Sequence, residues 1–160
     1  MKTIEYDREK AVLYAQKWAL GANPNFYHFG GIGGDCTNFV SQCLLAGEAV
    51  MNYSPLGWFY KSLFDRSASW SGVEFLQNFL LSNSSVGPFG REERLENLEL
   101  GDIIFLRQNK FRFNHSLIIT KIENGQIFVC AHSDDSLDRP LSSYNFIEMQ
   151  GVHIEGIRTF

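Results

Sequence analysis

Tyr27-His-Phe-Gly-Gly-Ile-Gly-Gly-Asp-Cys36-Thr-Asn-Phe-Val-Ser-Gln-Cys43-Leu-Leu-Ala-Gly47 joins a glycine-rich loop to an apolar run, with a cysteine at the seam. Phe39, Val40, Cys43 and Leu44 recur at helical spacing, so a helix is expected from near Cys36 to Gly47. Cys36 precedes Val40 by four residues and Cys43 by seven, which puts it on the buried stripe of that helix. A helix N-terminus leaves backbone N–H groups unpaired and carries the positive end of a dipole. Both favour a thiolate, so Cys36 is expected to be acidic and nucleophilic, and a thiolate attacks carbonyl carbon. Cys43 and Cys130 read instead as core packing.

Upstream, Asp7 is a good N-cap for a helix over residues 8–20, which Gly21 would end. Residues 48–70 read as irregular and aromatic. Ser71 and Glu74 form a capping-box pattern with Trp70 and Phe75 as a staple, predicting a helix to about residue 81. Residues 83–90 read as a loop and 91–99 as a charged surface turn or short helix. Strands are expected over 102–107, 115–122, 126–133 and 146–160, with Gly151 and Gly156 as sites for bulges. Asn124-Gly125 is a strong hairpin signal.

A two-residue Asn124-Gly125 turn pairs Glu123 with Gln126. Counting outward then pairs Ile119 with Cys130, Leu117 with His132 and His115 with Asp134. Alternation puts His115, His132 and Asp134 at one end of one sheet face. Packed on the Cys36 helix, that end supplies what a nucleophilic cysteine needs: a base and a group that orients the base. His115 is the expected base, with His132 orienting it and Asp134 as the alternative orienter. The backbone N–H of Cys36 is the expected oxyanion donor.

The whole chain, residues 1–160, suits one domain, and its net charge of −4 with no basic block argues against nucleic acid as a partner. Three cysteines without a Cys-x-x-Cys make neither a disulfide framework nor a usual zinc site, so no metal and no cofactor are expected. No run reaches the ~20 apolar residues of a membrane span. No leader is visible, so a cytoplasmic location is expected, with a cell-wall location left open. The oligomeric state is not legible.

Tyr27-His-Phe-Gly-Gly followed by Gly-Gly-Asp-Cys36 resembles the signature of NlpC-type and CHAP-type papain-like amidases. Asp35-Cys36-Thr-Asn-Phe-Val-Ser-Gln-Cys43-Leu resembles more closely a segment of the bacterial putative amidase domain family. Leu100-Gly-Asp102-Ile-Ile-Phe, Asn114-His115-Ser-Leu-Ile-Ile and Ala131-His132-Ser resemble the strands of these families that follow. The resemblance implies an α+β, permuted papain-like fold: N-terminal helices, with the catalytic helix packed on an antiparallel sheet of about 4–6 strands. It implies amide hydrolysis through a thioester, with a peptidoglycan peptide or other small peptide as substrate. It places Tyr27 and Asp35 in the substrate site beside Cys36. Thr37 and Asn38 stand where the NlpC group has Ser-Gly, which marks them as positions where substrate choice would differ. Two other readings share these residues: an acyl- or amidotransferase on the same site, and a peptide- or wall-binding module without turnover.

Overall fold

The computed structural model describes residues 1–31 and 34–160. Ile32 and Gly33, within the glycine run quoted above, lie outside the described residues. Among the described residues the fold is α+β: four helices and an antiparallel sheet larger than expected, with seven strands. In chain order the elements are β1 (Lys2–Ile4), α1 (Arg8–Trp18), α2 (Cys36–Ala46), the hairpin β2 (Tyr60–Ser62) and β3 (Asp65–Arg66), α3 (Ala68–Ser71), α4 (Val73–Ser82), β4 (Gly87–Glu93), β5 (Ile103–Arg107), β6 (His115–Glu123), β7 (Gln126–Ala131), β8 (Ser136–Pro140) and β9 (Glu148–Thr159). The large sheet runs β1-β9-β5-β6-β7-β8, with β4 also pairing β9.

Asp7 caps α1 by accepting the Lys10 N–H at 3.0 Å. The second helix starts at Cys36 and is closed by Gly47 as its C-cap, where the expectation put its end. It is buried on all sides from Cys36 to Leu44, because α1, α3 and the sheet enclose it. One core fills the space between helices and sheet, around Phe39, Leu44, Trp58, Trp70, Phe105 and Ile118. Each such side chain contributes about 1.5–3 kcal/mol by leaving water. A smaller core lies on the other sheet face, around Ile104, Leu106, Leu117, Ile119, Val129 and Tyr144.

The capping box does not form. Gly72 is the N-cap of α4, Ser71 ends α3 and its hydroxyl accepts from Arg66 Nε, and Phe75 is exposed while Trp70 is buried. Residues 87–93 form a strand rather than a loop and surface turn, because β9 is long enough to pair β4 on one side and β5 on the other. A Cβ at Gly151 would lie 2.7 Å from Leu98 Cδ1 and 2.8 Å from Glu93 O, so this glycine permits close packing and is not a bulge. The register shift instead falls at Glu155, beside Gly156.

The β6–β7 register also departs from expectation. Asn124 and Gly125 take φ of 52° and 76°, and Glu123 pairs Gln126 as counted. Thr120 is then an extra residue, so Ile119 pairs Val129 and Ile118 pairs Cys130. The bulge is held in place by the Thr120 hydroxyl, which donates to Asp138 Oδ1 at 2.6 Å and accepts from Cys130 Sγ. Beyond it, each residue of β6 faces opposite to the simple count. Ser116, not His115, lies on the helix side.

Candidate active site

Cys36 is the first residue of α2 and its N-cap is Asp35, yet the Asp35 carboxylate does not cap the helix. Its Oδ1 accepts from the Phe29 N–H (2.7 Å) and Asn38 Nδ2 (2.9 Å), and its Oδ2 pairs His132 Nδ1 at 2.5 Å. Asp35 thereby ties the glycine loop, α2 and the end of β7 together. Gly34, at φ 102°, makes the turn into this junction, and the Asp35 N–H donates to Ser133 Oγ. Since Asp35 does not cap α2, the leading N–H groups of the helix have no side-chain cap among the described residues.

Cys36 is 7% exposed and lies at the floor of a cavity of about 290 Å³. Gly34, Glu74, Phe75, Arg112 and Phe113 are among the residues around it. Burial pushes the Cys36 thiol up from its ordinary range, against the backbone N–H of Ser116, the Thr37 hydroxyl and the Thr37 N–H, which hold it down; Asp35 adds to the rise. The sequence suggested an acidic thiol, but desolvation outweighs the helix-start donors in the resting site. Cys43 and Cys130 are fully buried in the main core.

His132 is 2% exposed and stacks on Phe39 with centroids 4.0 Å apart. Its Nδ1 faces the Asp35 carboxylate and its Nε2 faces the Trp18 carbonyl at 2.7 Å. Both partners are acceptors, so both ring nitrogens donate and the ring is an imidazolium. Burial pulls its pKa down, but the Asp35 carboxylate and the Trp18 carbonyl outweigh burial and raise it. Asp35 is correspondingly held low: burial pushes it up, and His132, the Phe29 N–H and Asn38 more than offset this.

His115 begins β6 and pairs Leu106, on the face opposite α2. Its ring lies 5.8 Å from that of Tyr144. Burial lowers its pKa from 6.5 to about 4, with Asp134 pulling it up and Arg139 pushing it down. Asp134 is exposed and pairs Arg139 at 2.7 Å. The expected single face carrying His115, His132 and Asp134 is therefore divided by the Thr120 bulge: His132 joins Asp35 on the helix side, and His115 keeps the charge of Asp134 on the other.

Thr37 and Asn38 are each 1% exposed. The Thr37 hydroxyl bonds Ser116 Oγ at 2.9 Å. Asn38 donates to the Tyr27 carbonyl and accepts from Trp70 Nε1 at 2.8 Å. Both side chains are committed within the protein, as is Asp35. Tyr27 is partly exposed and sits edge-on against Phe29. Sequence reading missed Ser116, Ser133, Glu74, Phe75 and Arg112. The alternation after His115 is the one signal that pointed to Ser116, and only the bulge turns it toward α2.

His28, Asp35 and His132 offer donor atoms within 4.8 Å of one another. This is the one such group among the described residues, and the hydrogen bond between Asp35 and His132 occupies the position a cation would take. No helix among the described residues is long and apolar enough to cross a membrane.

The family described as "Putative amidase domain" matches residues 5–154, and the chain belongs to that family. Over 141 residues the chain is 36% identical to "Uncharacterized protein YhbB" of Bacillus subtilis (strain 168), covering 84% of this chain and 44% of that protein. Over 143 residues it is 27% identical to "Uncharacterized protein YjcM" of the same organism, covering 84% of this chain and 32% of that protein. The chain thus spans less than half the length of these relatives. No solved structure matches it.

Proposed function

We propose that this domain is a cysteine-dependent amide hydrolase in which Cys36 is the nucleophile. The observation that carries this reading is that one thiol of three stands at the floor of a cavity, at the uncapped start of a helix, while the other two are sealed in the core. Membership of the amidase family supports an amide as the bond that is cut, and the resemblance to papain-like enzymes supports a thioester route to small peptides, including those of peptidoglycan.

His115 is assigned the proton transfers. The other three histidines are committed: His28 accepts the Gly30 N–H, His132 donates to Asp35 and Trp18, and His153 bonds Asp102. The His115 ring makes no hydrogen bond among the described residues, and burial keeps it neutral at pH 7, so it has a lone pair to offer. It adjoins Ser116, whose hydroxyl bonds that of Thr37 beside Cys36, at a level where β7 has left the ladder. Its role requires the ring to turn toward Cys36 when substrate binds. His132 and Asp35 are assigned positioning: they fix the glycine loop and the helix start.

In this scheme the Cys36 proton passes to His115 as sulfur adds to the amide carbon. The N–H groups of Cys36 and Thr37 hold the oxyanion. The amine leaves with the proton from His115, giving a thioester. Water, deprotonated by neutral His115, then releases the acid and restores the thiol.

The test is mass-spectrometric trapping with a panel of muropeptides and simple peptides. An acyl adduct on Cys36 is expected, with turnover abolished in Cys36→Ala and reduced about 10²–10⁴-fold in His115→Ala. Undiminished turnover by Cys36→Ala would overturn the reading.

A further inference from the structure

We propose that the cavity over Cys36 contains a carboxylate subsite built on Arg112, so that the amide it takes carries an anionic group close to the cleaved bond. This rests on Cys36 being the nucleophile and adds the chemical class of the substrate.

The chain has eight arginines. Five pair with acids: Arg8 with Asp102, Arg91 with Glu155, Arg94 with Glu96, Arg107 with Glu148 and Arg139 with Asp134. Arg66 donates to Ser71 Oγ, and Arg158 donates to the Asn83 carbonyl. Arg112 is the eighth. Among the described residues its guanidinium has no hydrogen bond and no acidic partner, and it is the arginine that lines the cavity holding Cys36.

Its placement is built. Asn109 Oδ1 accepts the N–H groups of Phe111 and Arg112, at 2.9 and 3.1 Å. Gln108 and Asn114 exchange two hydrogen bonds, and Phe113 packs against the main core. The backbone at Arg112 is therefore held while its side chain is exposed at the rim. A second positive charge lies behind the wall: Ser71 lines the cavity, and Arg66, which bonds Ser71, rests 4.5 Å from the Phe29 ring centre. Glu74 is the acid of the rim and has an ordinary reason to be there, in the first turn of α4, where a carboxylate suits the helix dipole. Arg112 has no such internal reason. A guanidinium presents paired N–H groups that match a carboxylate, and it stays charged at any pH the protein meets. Phe75 and Phe113 beside it give an apolar surface for the rest of the ligand.

Alkylation of the folded protein tests this without a known substrate. Iodoacetate and iodoacetamide are near-isosteric, and only the first carries a carboxylate. The rate at Cys36 is followed by mass spectrometry for each reagent. In Arg112→Gln the iodoacetate-to-iodoacetamide rate ratio is expected to fall about three- to tenfold at low ionic strength, the size of one charge interaction near a surface. The wild-type ratio is expected to fall with added salt, and Lys110→Gln is expected to leave it unchanged. The iodoacetamide rate serves as the internal control for folding. An unchanged ratio with selective iodoacetamide labelling of Cys36 would remove the subsite and leave the nucleophile standing. Failure of both reagents at Cys36 would remove both.

Discussion

His115 opens β6 and His132 follows the last residue of the neighbouring β7, and both are nearly buried, yet their surroundings drive them in opposite directions. On the helix side His132 is bonded at both nitrogens and held as a cation by Asp35. On the other side His115 is buried beside Tyr144, whose hydroxyl has no hydrogen-bond partner among the described residues, and is held neutral. Burial alone strips charge from a group, whereas burial with a fixed counter-charge keeps it. The paired face fixes the backbone around Cys36. The unpaired face leaves an imidazole able to accept a proton.

The largest effect should come from breaking the paired face. His132→Phe keeps a ring against Phe39 but leaves the Asp35 carboxylate buried and without its counter-charge. Urea unfolding should show a loss of about 3–5 kcal/mol. A loss below about 1 kcal/mol would mean that the ring is not held as a cation.

The unpaired face should show itself in acid. The folded pKa of His115 is depressed, so between pH 6.5 and about 4 the unfolded chain binds a proton that the folded chain does not. Stability contributed by His115 is therefore lost as pH falls through that window, by about 3 kcal/mol in all. His115→Gln should remove this part of the acid sensitivity when unfolding is measured at pH 7 and pH 4. The His132–Asp35 pair runs the other way on its alkaline side. Its histidine contribution is fully present below 6.5 and fades as pH rises through the raised folded value. Its aspartate contribution is present above about 3.9 and fades only as pH falls through the depressed one.

The smallest effect concerns one bond of the paired face. Thr37→Val removes the hydroxyl that meets Ser116 Oγ and acts on the Cys36 sulfur. It should cost about 1–2 kcal/mol in unfolding. It should also slow Cys36 alkylation at a given pH, because one of the groups holding the thiol down is lost.

Helix α2, its start at Cys36 and its end at Gly47 were legible because they rest on local signals: apolar spacing, a glycine stop and a loop-to-helix seam. The Asn124-Gly125 hairpin was legible for the same reason. Strands β1 and β4 were not, because each is a strand only by pairing with β9, a partner far along the chain. Ser71–Glu74 matched a capping box by type, but Arg66 reaches across and takes the serine.

The candidate site divides along the same line. The sequence by itself determined the chemical inventory: one cysteine at a helix start, an aspartate before it, two histidines further along the chain and membership of the putative amidase domain family over residues 5–154. Only the tertiary structure decided which of these meet. One extra residue at Thr120 reverses the faces beyond it, sending Ser116 toward the sulfur and His115 away from it, while Asp35 turns from its own helix to His132. A bulge depends on whether Thr120 finds Asp138 and Cys130 across strands. That is a balance of non-local bonds, which no local pattern encodes.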